Sequence, residues 1–130
     1  MSQTTPILVP ISPGELLDKI TILMIKVERL TDPQQRQNVK TELNLLQTAR
    51  AQLNTEETGA LFDALKTVNE QLWQIEDDIR DCEREDDFGD KFIGLARSVY
   101  HNNDERARLK REINERLGSE ILEEKSYKKY

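Results

Sequence analysis

At 130 residues the chain is long enough for a real core. Its formal charge of −6 argues against general nucleic-acid binding, which depends on neutralising phosphates. Its 36% hydrophobic and 34% charged residues suit helices with narrow apolar stripes and well-solvated outer faces. A single cysteine excludes an intramolecular disulfide, and the longest apolar run, Ile22 to Ile25, is far too short to cross a bilayer, so no membrane insertion is expected and a soluble, cytoplasmic, single-domain protein is.

Residues 1–11 end in Pro6-Ile7-Leu8-Val9-Pro10-Ile11, where two prolines around aliphatics forbid a central strand and predict an extended N-terminal arm. Ser12-Pro13-Gly14-Glu15 is a helix start, with Ser12 as cap, Pro13 at the first position and Glu15 placed to close a capping box. The helix predicted over 12–30 carries a stripe of Leu16, Ile20, Leu23, Val27 and Leu30. Ile22 and Ile25 lie off that stripe, so this helix is either central or shared with a partner. Glu15 stands one turn before Lys19, a favourable pair. Asp32-Pro33 repeats the start signal for a second helix to about Leu53, whose thin stripe of Val39, Leu43, Leu46 and Leu53 pairs it with the first as an antiparallel hairpin.

A long helix is predicted over 55–85, with Leu61, Leu65, Val68, Leu72, Ile75, Ile79 and Cys82 at steps of three and four. Thirty residues at 1.5 Å each span about 45 Å, more than a compact bundle needs, so a bend or overhang is expected. Glu85 to Asp90 breaks the pattern. A fourth helix to about Tyr100 follows, then a turn at Asn102-Asn103-Asp104 and a fifth, edge helix ending at Gly118. Residues 119–130 form a partly packed tail.

Nine carboxylates and two arginines fall between Glu76 and Asp90. Projected at 100° per residue, Asp77 and Asp81 belong to a solvated face, and Asp86, Asp87 and Asp90 to the turn, where they can cap the next helix. Asp78 and Glu76 are the weak candidates for magnesium or calcium. The paired acidic motifs of an all-helical nucleotide pyrophosphohydrolase occur in the wrong order, as Glu83-x-x-Asp86 before Glu112-x-x-Glu115. His101 has no second histidine or cysteine beside it for zinc, and no glycine-rich phosphate loop is present. The basic residues of the fifth helix, Arg106 to Arg116, interleave with acids and read as a self-paired solvated face. No catalytic unit and no cofactor are assigned.

The more informative pattern is the polar edge of the long helix, where Asn69, Trp73, Glu76 and Arg80 border the apolar stripe. Two readings stand. Glu76 and Arg80 form an intrahelical ion pair shielding the core, or this edge joins Lys19, Lys26, Arg97, Tyr100 and Asn103 in a ligand cleft between the first, third and fourth helices.

Three segments carry a resemblance: Ile11-Ser-Pro-Gly-Glu-Leu-Leu-Asp-Lys-Ile-Thr-Ile-Leu23, Val68-Asn-Glu-Gln-Leu-Trp-Gln-Ile-Glu-Asp-Asp-Ile-Arg80, and Phe92 to Asn114 followed by Glu123-Glu-Lys-Ser-Tyr127. With these the chain resembles a family of small bacterial proteins of unknown function, some occurring near or joined to glycosyltransferases for surface polysaccharides. The resemblance implies a cytoplasmic role near that assembly and no established activity. The first helix is also similar to the long first helix of helical chorismate mutases, whose cationic side chains project into a bundle as Lys19, Lys26 and Arg80 would here.

The expectation is therefore an all-α bundle of about five helices, with those over 12–30 and 55–85 central. It acts as a non-enzymatic interaction or accessory protein and a homodimer, with another protein as a further possible partner. The alternative is a binder of, or enzyme acting on, a sugar phosphate or nucleotide at the polar edge.

Overall fold

The computed structural model describes residues 5–54 and 56–130. Four helices follow one another: α1 (Pro13–Arg29), α2 (Pro33–Arg50), α3 (Gly59–Arg84) and α4 (Asp90–Arg116), with a 3-10 turn at Glu56–Thr58 before α3. No strand occurs among the described residues. Thr55, the expected start of the long helix, and residues 1–4 of the expected arm lie outside the described residues.

The two predicted starts form as expected. Ser12 Oγ accepts the Glu15 amide at 3.1 Å and Asp32 Oδ2 accepts the Gln35 amide at 2.9 Å, each with a proline at the first turn. The side chain of Glu15 does not turn back to its cap or pair with Lys19. It meets Lys110 of α4, 95 residues away, at 2.7 Å.

α1 is the hub and packs against each of the other three helices. Leu16, Leu17 and Ile20 meet Phe62, Leu65 and Val68 of α3 and Leu109 and Ile113 of α4 in one apolar cluster. Ile25 is buried, so much of the second apolar side of α1 is covered by its own chain. α2 lays Leu43, Leu46 and Ala49 against this cluster but buries no residue fully.

The fourth and fifth predicted helices are one. Asn102-Asn103-Asp104 continues α4 instead of breaking it, and the Asn102 amide donates back to the Ser98 carbonyl at 2.8 Å within the helix. Asn and Asp are poor helix formers by only a fraction of a kcal/mol each. The burial of Leu109 and Ile113 downstream outweighs that preference. The half of α4 expected at the edge of the bundle thus supplies part of its core.

α3 and α4 pack together as a hairpin joined by the acidic turn. There Cys82 is buried, but Phe88 and Ile93 stay about half exposed. The acidic turn closes it without capping α4 through a side chain. Asp86 takes φ of +53° to end α3, and Asp87 accepts the Gly89 amide at 3.1 Å. At the other end of α4, Gly118 has φ of +65°, the left-handed residue expected after a helix.

Candidate functional site

The junction of α1 and α4 is set by a glycine. A Cβ at Gly14 would lie 2.5 Å from the Lys110 carbonyl oxygen, so only glycine lets the two backbones approach this closely. Its amide, one of the donors left open at a helix start, is satisfied across the interface by Asn114 Oδ1 at 2.6 Å.

One turn further along α1, Asp18 is 1% exposed. Its carboxylate accepts from Arg106 Nε at 2.9 Å and Nη2 at 2.5 Å, a two-point bond between α1 and α4. Asn69 of α3 adds a third helix, donating to Asp18 Oδ1 at 2.9 Å and to Thr21 Oγ1 at 2.8 Å. Thr21 in turn donates to the Asp18 carbonyl at 2.7 Å. Three helices are thus keyed together by one buried carboxylate with its partners in place, which is the condition for tolerating a buried charge. The hydrogen bond to Asp18 raises the Arg106 pKa further, so its guanidinium stays charged.

Beside this cluster lies a cleft of about 530 Å³ between α1, α3 and α4, within the usual range for small-molecule sites. Ile22, Ile25, Leu72 and Trp73 give it apolar walls, and Asn69, Glu76, Asp77, Arg80, Asn103 and Arg106 its polar lining. Arg106 uses Nε and Nη2 on Asp18, while Nη1 has no hydrogen bond among the described residues. The same holds for the side-chain amide of Asn103 and for Asn69 Oδ1. Trp73 makes no ring or cation contact there.

Five of the predicted site residues, Asn69, Trp73, Glu76, Arg80 and Asn103, therefore line one cleft. The others do not. Lys19 and Arg97 are exposed, and Lys26 is half-buried on α1 outside the lining. Tyr100 lies instead on a separate depression formed by α4 and the tail, with its ring 4.8 Å from His101 and 5.0 Å from Tyr130. Glu76 and Arg80 form the ion pair between consecutive turns, with side chains 50% and 66% exposed. Among the described residues no group of three or more histidines, cysteines and acids could hold a metal ion. Of the weak metal candidates, Asp78 is bonded by Gln74 at 2.9 Å and Glu76 by Arg80.

Sequence reasoning missed Asp18 and Arg106. The signal was present in α1, where Asp18 precedes Ile22 and Ile25 by four and seven positions on its second apolar side. It was present in α4 too, where Asn103, Arg106, Lys110 and Asn114 recur at steps of three and four. Two members of the supposedly solvated basic face thus turn inward. Lys110 is 8% exposed between Glu15 at 2.7 Å and Glu123 at 2.9 Å. The remainder, Arg108, Arg111 and Arg116, pair with neighbouring acids as expected.

No helix of the described residues is long and apolar enough to cross a membrane. No curated protein and no solved structure matches the chain. A family model does match, over residues 7–130, and on that match the chain belongs to the Family of unknown function (DUF6165).

Proposed function

We propose that this protein is a non-enzymatic helical accessory protein that works by holding a small molecule in the cleft between α1, α3 and α4. The observation behind this reading is the clamp on Arg106. Asp18, almost wholly buried, fixes the guanidinium through Nε and Nη2, while Nη1 has no hydrogen bond among the described residues and Arg106 lines the cleft together with Trp73. A donor held in place by a buried partner is what recognition requires, because little freedom is then lost on binding. The same arrangement favours binding over proton transfer. Asp18 is already bonded by Asn69 and Arg106, and Glu76 by Arg80. A thermal-shift panel of free sugars, sugar phosphates, nucleotides and amines tests it, since a ligand at 100 times its Kd adds about 2.7 kcal/mol. Stabilisation by one class is expected; none by any class would sink the reading.

A second reading, compatible with the first, is a homodimer. It is favoured by Ile7, Leu8 and Val9, which stand 87%, 92% and 65% exposed at the start of the chain. Light scattering should give about twice the 15.1 kDa chain mass, and a particle of 15.1 kDa at micromolar concentration would remove it. The setting, cytoplasmic and close to bacterial surface-polysaccharide assembly, rests on the resemblance described above.

A further inference from the structure

We infer that the ligand of this cleft is a neutral sugar ring, seated with one face on Trp73 and its hydroxyls on Arg106, Asn103 and Asn69. The inference rests on the reading of the cleft as a binding site and concerns which chemistry that site accepts.

Charge decides against a phosphate or nucleotide. Two arginines border the cleft, but Glu76 and Asp77 border it too, and Asp18 stands directly behind Arg106. Lys19 and Lys26, which would have tipped the balance to positive, are not part of the lining. A multiply charged anion would meet a field that is neutral to negative, and Arg106 would offer it one nitrogen of a guanidinium already neutralised by its partner. Both arginines are already paired, and Asp77, the one lining carboxylate without an arginine partner among the described residues, is exposed, so a cationic amine would gain only a solvent-screened contact. The uncharged classes remain.

Among them the wall chemistry favours a ring with an apolar face and a polar perimeter. Trp73 is half-buried beside Ile22 and Leu72, with its indole free of other ring or cation contacts among the described residues. The C–H face of a pyranose covers such a surface and removes apolar area from water. Around it the open hydrogen-bonding groups are mixed. Arg106 Nη1 donates and Asn103 can donate and accept. Asn69 has committed both N–H groups to Asp18 and Thr21, which leaves its Oδ1 as an acceptor. A ring hydroxyl both donates and accepts, so neighbouring hydroxyls satisfy this mixture where a carboxylate or phosphate, acceptor only, would leave Asn69 Oδ1 unmatched.

Trp73 is the only tryptophan of the chain, so its fluorescence reports on this cleft alone. The full chain is titrated with methyl glucoside, methyl galactoside, N-acetylglucosamine, glucose 6-phosphate, adenosine monophosphate and a simple alkylamine, with acrylamide quenching as the readout. At least one neutral sugar should protect Trp73 saturably, and its phosphorylated form should bind no more tightly. Asn103→Ala, whose side chain makes no hydrogen bond among the described residues, should keep the melting temperature and weaken the sugar about tenfold. Protection by the phosphate, the nucleotide or the amine but by no neutral sugar overturns the sugar inference and leaves the binding cleft standing. Sugar protection unchanged in Asn103→Ala overturns the placement of the ring. No protection by any compound overturns both the inference and the reading beneath it.

Discussion

Arg106 and Arg80 both pair with a carboxylate beside the same cleft, yet the side chain of Asp18 is 1% exposed and that of Glu76 is 50%. The difference is one of sequence distance as much as burial. Glu76 and Arg80 are four residues apart on one helix, so any stretch of helix makes their contact, in solvent that screens it. Asp18 and Arg106 are 88 residues apart and meet only when α1 and α4 have packed together. One pair reports that a helix is present, the other that the fold is. The inner pair also has a consequence for function, because it holds a guanidinium still at the wall of the cleft.

The largest effect should come from Asp18→Ala. It strands Arg106, whose side chain is 30% exposed, and removes one of the two acceptors of Asn69. Breaking a buried pair from one side costs about 3–5 kcal/mol, and the partial exposure of Arg106 places this case near 3. Urea denaturation measures it, and a loss under about 1 kcal/mol would show that the inner pair behaves like the outer one. Gly14→Ala should come next, at about 1–3 kcal/mol. The new methyl carbon would sit 2.5 Å from a backbone oxygen of α4 and 2.8 Å from Asn114 Oδ1, so the helices must part and the Gly14 hydrogen bond must lengthen. A stability within 0.5 kcal/mol of the parent chain would mean that the α1–α4 junction can slide, contrary to a keyed interface.

The outer rim was legible in the sequence and the inner cluster was not. Asn69, Trp73, Glu76 and Arg80 belong to one continuous helix, so projecting the sequence at helical spacing is enough to gather them on one side. Asp18 defeats the same procedure, because amphipathic reasoning assigns a charged residue to the solvent face unless its partner is known. The partner here lies in a segment whose alternating charges read as solvated. Arg108 and Arg111 obey that reading, while Arg106 and Lys110 differ from them only by facing α1. The helix starts at Ser12-Pro13 and Asp32-Pro33 were legible because caps are local chemistry. The continuity of α4 through Asn102 to Asp104 was not, because local preference pointed to a turn and the deciding energy came from Leu109 and Ile113, packed against other helices.

A smaller effect belongs to the tail, held by Lys110 to Glu123 at 2.9 Å and by Arg111 to Glu124 at 3.0 Å. Its hydrogen bond to Lys110 lowers the Glu123 pKa below the ordinary 4.5. A depressed acid stabilises the docked tail above 4.5 and loses that contribution as pH falls through the folded value. Burial disfavours the Lys110 ammonium, but Glu15 and Glu123 outweigh it and raise its pKa above 10.5, so its contribution is lost only as pH rises beyond that. Hydrogen exchange at Ser119 and Ile121, whose amides are bonded where the tail leaves α4, should therefore be protected at neutral pH and quicken, relative to the intrinsic rate, below pH 4.5. Glu123→Gln should show the quickened exchange already at neutral pH, with less than about 1 kcal/mol lost globally because Glu123 is half exposed.

The smallest effect tests the contrast most closely. Glu76→Gln and Arg80→Ala should each cost only a few tenths of a kcal/mol, the worth of an exposed pair one turn apart. Their effects should add to that of Asp18→Ala within about 0.5 kcal/mol, as for sites that share no partner. A larger coupling, measured by the double-mutant cycle Asp18→Ala with Arg80→Ala, would join rim and centre into one network across the cleft. Arg80 would then have to act through Asn69, Asn103 or Trp73, the residues between the two pairs. The cleft would be a structural joint held open by charge, and its free Nη1 and amide groups would lose their standing as groups kept for a ligand.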